Sequence, residues 1–120
     1  MPTITPVIST PDLPRLRAFY EGLFGAAESE RYPAGGDIFY LGLTAGDSVL
    51  GLVSEAATEP GAGGQRVLLS VLVDDVDALL DRVTALGGTV LSPPNDMPWG
   101  QRVGHVQDPD GNAVNLTQDR

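Results

Sequence analysis

The feature that most constrains this chain is that it runs through one pattern twice. Each half reads as a strand, an Asp-capped helix, a Gly stop, and then short strands that end in a hairpin. Setting Asp12 on Asp75 aligns Ile8 with Val71 and Leu16 with Leu79. With a small gap, Gly46-Asp47 falls on Asp110-Gly111 and Leu52 on Leu116. Residue identity across this alignment is weak, so the repeat is one of pattern. Two βαβββ units in 120 residues predict an α+β fold. The expected sheet is mostly antiparallel and curved by twist, with helices on its outer face. Its concave face then needs filling by side chains, a ligand or a partner chain.

The local signals support each step. Ile4 to Thr10 is a short strand in which Pro6 points to an edge position or a missing ladder bond. Asp12 is an N-cap, Pro14 is tolerable in a first turn, and Leu13, Leu16, Phe19, Tyr20 and Leu23 follow at helical spacing until Gly25. Glu28 to Tyr32, Ile38 to Leu43 and Ser48 to Val53 read as strands, the last two joined by a turn at Ala45-Gly46-Asp47. The single domain 1–120 then divides into module one at 1–55, a loop at 56–65 rich in Gly and holding Pro60, and module two at 66–120.

Module two opens with the apolar strand Val67 to Val73. Asp74-Asp75 caps a helix whose stripe is Val76, Leu79, Leu80, Val83 and Leu86, with Asp77 and Asp81 off it, and Gly87-Gly88 ends it. Thr89 to Leu91 is a short strand, and Ser92 to Pro98, with three Pro, reads as an irregular loop. The last hairpin pairs Val103 to Gln107 with Ala113 to Gln118 across Asp108-Pro109-Asp110-Gly111-Asn112, where Pro presets φ and Gly supplies positive φ.

Composition narrows the function. There is no Cys, hence no disulfide framework and no thiolate metal site. No apolar run reaches the roughly 18 residues of a membrane span, and the N-terminus lacks the basic and apolar regions of a secretory signal, so a cytoplasmic protein is expected. The net charge is -9 and every basic residue is Arg. That argues against nucleic acid as a partner, because phosphate contacts need a basic surface. It is compatible with attraction of a cationic small molecule, or simply with solubility. The many Gly residues include no phosphate-loop pattern.

Five segments in order carry a family resemblance. They are Pro6-Val7-Ile8-Ser9-Thr10-Pro11-Asp12-Leu13, Ala18-Phe19-Tyr20-Glu21-Gly22-Leu23-Phe24-Gly25, Val71-Leu72-Val73-Asp74-Asp75-Val76-Asp77, Pro98-Trp99-Gly100-Gln101-Arg102, and Asp108-Pro109-Asp110-Gly111-Asn112. On them the chain resembles the vicinal oxygen chelate superfamily, which includes glyoxalase I, extradiol dioxygenases and bleomycin-resistance proteins. The resemblance implies the paired βαβββ fold, but a fold does not by itself assign a function. In the superfamily's enzymes four positions, two per half, hold a divalent metal. Here they fall on Thr5, Gly51, Leu68 and Asn115. Tight divalent sites use imidazole, carboxylate or thiolate donors, which none of these residues offers. The resemblance therefore points to the metal-free, bleomycin-resistance-type branch, whose members sequester a drug in a groove between two subunits. No cofactor and no catalytic residue is expected; a homodimer and a cationic or aromatic small-molecule ligand are.

The ligand-binding residues expected on this reading are Trp99, Arg102, His105, Asn115, Leu68, Ser70, Leu72 and Phe39. Trp99 is either a flat platform with its indole N–H as donor, or a lid or dimer contact. His105, the chain's sole His, falls opposite Asn115 on one face if the hairpin pairs regularly. The pair either lines a polar pocket or His105 is a surface or sheet residue. Arg102 either grips a ligand carboxylate or phosphate, or, as such an Arg more often does, pairs with a nearby Asp to hold the loop. Leu68, Ser70 and Leu72 share the cup face, while Leu69, Val71 and Val73 meet the helices. Phe39 and Tyr40 alternate, so one of them enters the cup. The Asp74, Asp75, Asp77 and Asp81 cluster is explained by capping and a solvated helix face. Two other functions stay open: an isomerase or lyase using His105 or Asn115 without a metal or with an atypical one, and an assembly module whose cup is plugged by its own side chains.

Overall fold

A computed structural model describes residues 3–55 and 67–120. The chain forms two compact units, Met1–Pro60 and Gly61–Arg120. The expected loop at 56–65 lies outside the described residues.

The first unit contains β1 (Val7–Thr10), α1 (Leu13–Phe24), β2 (Ala27–Tyr32), β3 (Tyr40–Ala45) and β4 (Ser48–Ser54). Asp12 starts α1 by accepting the Arg15 N–H, and Gly25 ends it in the left-handed region at φ 68°, where a Cβ would be strained. The strand order is β1-β4-β3-β2, with β1 parallel to β4 and the rest antiparallel. β1 is an edge strand, one of the two outcomes Pro6 pointed to; it begins at Val7 rather than at Ile4, and the Pro6 carbonyl just before it accepts the Gly51 N–H at 2.8 Å. The buried stripe of α1, Leu13, Leu16, Phe19, Tyr20 and Leu23, is matched by buried Leu41, Leu43 and Leu52 of the sheet.

The second unit contains β5 (Leu69–Leu72), α2 (Val76–Ala85), β6 (Thr89–Asp96), β7 (Gln101–Gln107) and β8 (Ala113–Asp119). The order β5-β8-β7-β6 repeats that of the first unit, again with one parallel pair, β5 with β8. Asp75 caps α2 through the Ala78 N–H, and the Gln118 side chain accepts the Val76 N–H at 2.8 Å. Val76 and Val83 are buried with Val106, Val114 and Leu116. Gly104 lies under the start of α2: a Cβ there would meet Val76 Cγ1 at 2.8 Å. Asp77 and Asp81 are exposed, off the apolar stripe.

The largest departure from expectation follows the start of β6. Ser92 to Pro98 is not an irregular loop, because β6 continues to Asp96. The strand survives Pro93 and Pro94 because it is an edge strand with register shifts between Val90 and Ser92 and between Ser92 and Asn95. The connection to β7 is a tight turn in which Gly100 donates to the Met97 carbonyl and Met97 to the Gln101 carbonyl. Gly100 takes φ 94°, the conformation that Gly tolerates best.

Candidate functional site

The two units share not only a pattern but a register. Val7 pairs with Gly51 as Ser70 pairs with Asn115, and Ile8 with Leu52 as Val71 with Leu116. On the next strand, Gly42 opposite Gly51 matches His105 opposite Asn115. Side chains alternate across a strand, so in each unit one of these rows faces the helix and the other faces away. In the second unit Gly104 and Gln118 meet the start of α2 and share their row with Val106, Val114 and Leu116, whereas Val103 and Thr117, also buried, belong to the other row. Asn115 and His105 therefore project from the face opposite α2.

That face carries most of the expected residues. His105 Nδ1 and Asn115 Oδ1 are 2.8 Å apart, both side chains half-buried. Ser70 lies beside Asn115 in register and is exposed. Leu68 and Leu72, two residues to either side of Ser70, are 52% and 63% exposed. Large apolar side chains left in water beside a paired imidazole and amide form a surface suited to an apolar ligand with a polar contact.

Trp99 stands in the turn before this face and is 66% exposed. Its indole N–H is not available to a ligand as the sequence suggested, because it donates to Gln101 Oε1 at 3.0 Å. Gln101 in turn donates to Asp119 Oδ1 at 3.1 Å. By alternation Gln101, Val103 and His105 share a face, so the Gln101 side chain tethers the exposed Trp99 on the His105 side of the hairpin.

Arg102 belongs to the opposite face, with Gly104. Its Nε and Nη2 meet the two oxygens of Asp77 at 2.6 and 3.0 Å, and Nη1 meets Asp96 at 3.0 Å. All three nitrogens are thus engaged in tying the β6–β7 hairpin to α2, the holding role that such an Arg more often has. The guanidinium is thus occupied by two protein carboxylates. Hydrogen bonding to Arg102 holds the Asp77 carboxyl below its usual range, and hydrogen bonding to Arg31 does the same for Glu28 in the first unit.

In the first unit the corresponding face is closed at the equivalent point. Tyr40, not Phe39, is the aromatic over Gly51: a Cβ on Gly51 would lie 2.9 Å from the Tyr40 hydroxyl and 3.0 Å from Val7 Cγ2. Gly42, the cross-strand partner, is also near that hydroxyl, at 3.7 Å from its hypothetical Cβ. Phe39 precedes β3 and is 54% exposed. The sequence carried one missed signal, two strand-interior glycines whose register makes them neighbours, which marks close approach of another group.

The four superfamily metal positions do not fit a divalent ion. Gly51 has no room for a ligating side chain under Tyr40, Leu68 offers only methyl groups, Thr5 a neutral hydroxyl, and the Asn115 amide oxygen is engaged by His105. Among the described residues no three His, Cys, Asp or Glu side chains are grouped to hold a metal.

The family model described as glyoxalase/bleomycin resistance protein/dioxygenase superfamily matches residues 4–116. The chain belongs to this superfamily. A candidate glyoxylase, CFP32 of Mycobacterium tuberculosis, is 33% identical over 115 residues, covering 92% of this chain and 43% of CFP32. This chain therefore spans less than half the length of that relative. A glyoxalase/bleomycin resistance protein/dioxygenase family enzyme from Burkholderia phytofirmans superposes with a TM-score of 0.81 at 26% identity, covering 97% of each chain. A bleomycin resistance determinant encoded on transposon Tn5 superposes at 0.70 with 23% identity, covering 100% of this chain and 99% of the other. The last likeness is one of fold. No helix among the described residues is long and apolar enough to cross a membrane.

Proposed function

We propose that the protein is a metal-independent small-molecule binding protein of the bleomycin-resistance kind, acting as a homodimer in the cytoplasm. The observation that carries this reading is the open face of the second unit. It keeps Leu68 and Leu72 exposed beside the His105–Asn115 pair, with Trp99 tethered at its rim, at a position where the superfamily's enzymes use a metal-binding carboxylate. Such a face binds by apolar burial and aromatic contact, with one polar anchor. The acidic chain favours a cationic ligand.

Trp99 is the sole tryptophan, so its emission reports on this rim without interference. Bleomycin and a panel of cationic aromatic antibiotics should include at least one compound that quenches Trp99 saturably and raises the melting temperature. A ligand at 100 times its Kd stabilises the folded state by about 2.7 kcal/mol, which a thermal scan resolves. Leu72→Asp should weaken that binding at least tenfold. A panel that leaves both emission and melting unchanged overturns the reading.

The His105–Asn115 pair also favours a second reading, a metal-free isomerase or lyase in which His105 moves a proton. Turnover abolished by His105→Ala with ligand binding retained would identify it.

A further inference from the structure

We propose that Asn115 fixes the neutral His105 ring as the Nδ1–H tautomer. The face then presents Nε2 as a hydrogen-bond acceptor and selects apolar ligands that carry an O–H or N–H donor. The argument begins with the 2.8 Å separation between His105 Nδ1 and Asn115 Oδ1. An amide oxygen has no proton to give, so the proton in this contact belongs to Nδ1. A neutral imidazole carries one N–H, and Nε2 is consequently left with its lone pair. In a free histidine side chain the other tautomer predominates, so the protein is selecting the less common form.

The register makes this a fixed arrangement. His105 and Asn115 are directly opposed on β7 and β8, and the turn between them is locked by Asp108, whose carboxylate accepts from the Asp110 and Asn112 N–H groups and the Asn112 side chain at 2.9 Å each. A slip in the register of the two strands would break that turn. Among the described residues no group satisfies Nε2. The in-register neighbours of His105 are Asn115 on β8 and Ser92 on β6, with Ser70 of β5 beyond Asn115 and Leu68 and Leu72 on either side of Ser70.

A half-buried acceptor is costly to desolvate without a donor, by roughly 1–3 kcal/mol. A ligand that brings a donor recovers this cost, and an isostere lacking the donor does not. Asn suits this task better than a carboxylate would. Its amide oxygen orients the ring as a carboxylate does, but adds no charge that would favour the imidazolium and convert Nε2 into a donor.

The tautomer does not depend on the binding reading above; the ligand class does, and two measurements keep them apart. Because His105 is the sole His, a long-range nitrogen–proton correlation spectrum of the uniformly nitrogen-15-labelled protein shows its two ring nitrogens alone. At a pH of about 9, above the usual imidazole range, Nε2 should resonate as an unprotonated nitrogen and Nδ1 as a protonated one. Asn115→Leu should reverse the two, and Asn115→Asp should not. Protonation at Nε2 in the unsubstituted protein overturns the tautomer, since it would mean that the Asn115 amide nitrogen faces the ring. The second measurement titrates para-cresol and its methyl ether into the same sample. Para-cresol should move the Nε2 resonance saturably, and the ether should move it at least tenfold less at equal concentration. Equal responses, or none from para-cresol, overturn the ligand class while leaving the tautomer intact.

Discussion

At Gly104 the backbone of β7 passes so close to α2 that a methyl group would stand 2.8 Å from Val76 Cγ1. Val76 is fully buried and has no free side to retreat toward. Gly104→Ala should therefore cost about 1 to 3 kcal/mol, the usual range for overpacking a core. Chemical denaturation should read the loss as a lower midpoint at unchanged slope. Gly35→Ala is the matched control: nothing lies within 4 Å of its hypothetical Cβ and its φ is not in the left-handed region. That change should stay within about 0.5 kcal/mol of the parent. Equal losses at the two sites would sink the close-packing account. Residue-scale features differ in how far they could be read from the sequence. His105 opposite Asn115 was legible, because the Asp108 to Asn112 turn fixes the parity of both arms. The Trp99 N–H partner and the position of Tyr40 over Gly51 were not, because both depend on rotamers and on which side chain reaches a gap first. Arg102 was half legible: its chemistry announced a carboxylate partner, and only the fold shows that both partners belong to the protein.

Elements are held to one another by fewer contacts than residues within them, which makes Arg102 consequential. It joins the β6–β7 hairpin to the first turn of α2 through Asp96 and Asp77. Asp77 is half exposed, so the pair is screened by solvent and salt. Its hydrogen bond to Arg102 lowers the Asp77 pKa in the folded state. A lowered carboxylate stabilises the fold above its unfolded value, near 3.9 for a typical Asp, and that contribution disappears as the pH falls through the lower folded value. Thermal melts of the parent and of Arg102→Met should thus differ at neutral pH and converge as the pH drops below about 4. Added salt should narrow the gap at neutral pH as well. A gap that is unchanged across both series would show that Arg102 acts through packing of its stem alone. The same hairpin explains why sequence reading ended β6 at Leu91, short of its observed end at Asp96. Three Pro residues between Ser92 and Pro98 argue for a loop by every local rule. Those rules assume a strand with two hydrogen-bonded neighbours, whereas β6 has one neighbour, β7, and shifts its register twice.

At the scale of the whole molecule, the repeat is what the sequence shows most plainly and what limits its chemistry. The alignment drawn through Asp12 and Asp75 predicts which residues share a row, and the observed pairings Ile8–Leu52 and Val71–Leu116 follow it. The helix-facing rows of the two units are alike, because both must bury a leucine- and valine-rich core. The rows that face away have diverged. One unit carries Val7, Gly51 and Gly42 with Tyr40 beside them, and the other Ser70, Asn115 and His105. Packing thus preserves the pattern on one side of each sheet while leaving the other side free to change its chemistry. A divalent metal would need the second kind of row to keep charged or imidazole donors in both units, and His105 is the sole such group among the residues named in them. Protein purified without chelator, then soaked with zinc, manganese, iron and nickel salts and desalted, should retain far less than one metal per chain. His105→Ala should leave that background unchanged. Stoichiometric retention would place the ligands elsewhere than Thr5, Gly51, Leu68 and Asn115, and would make metal-dependent isomerase and dioxygenase assays the next experiment.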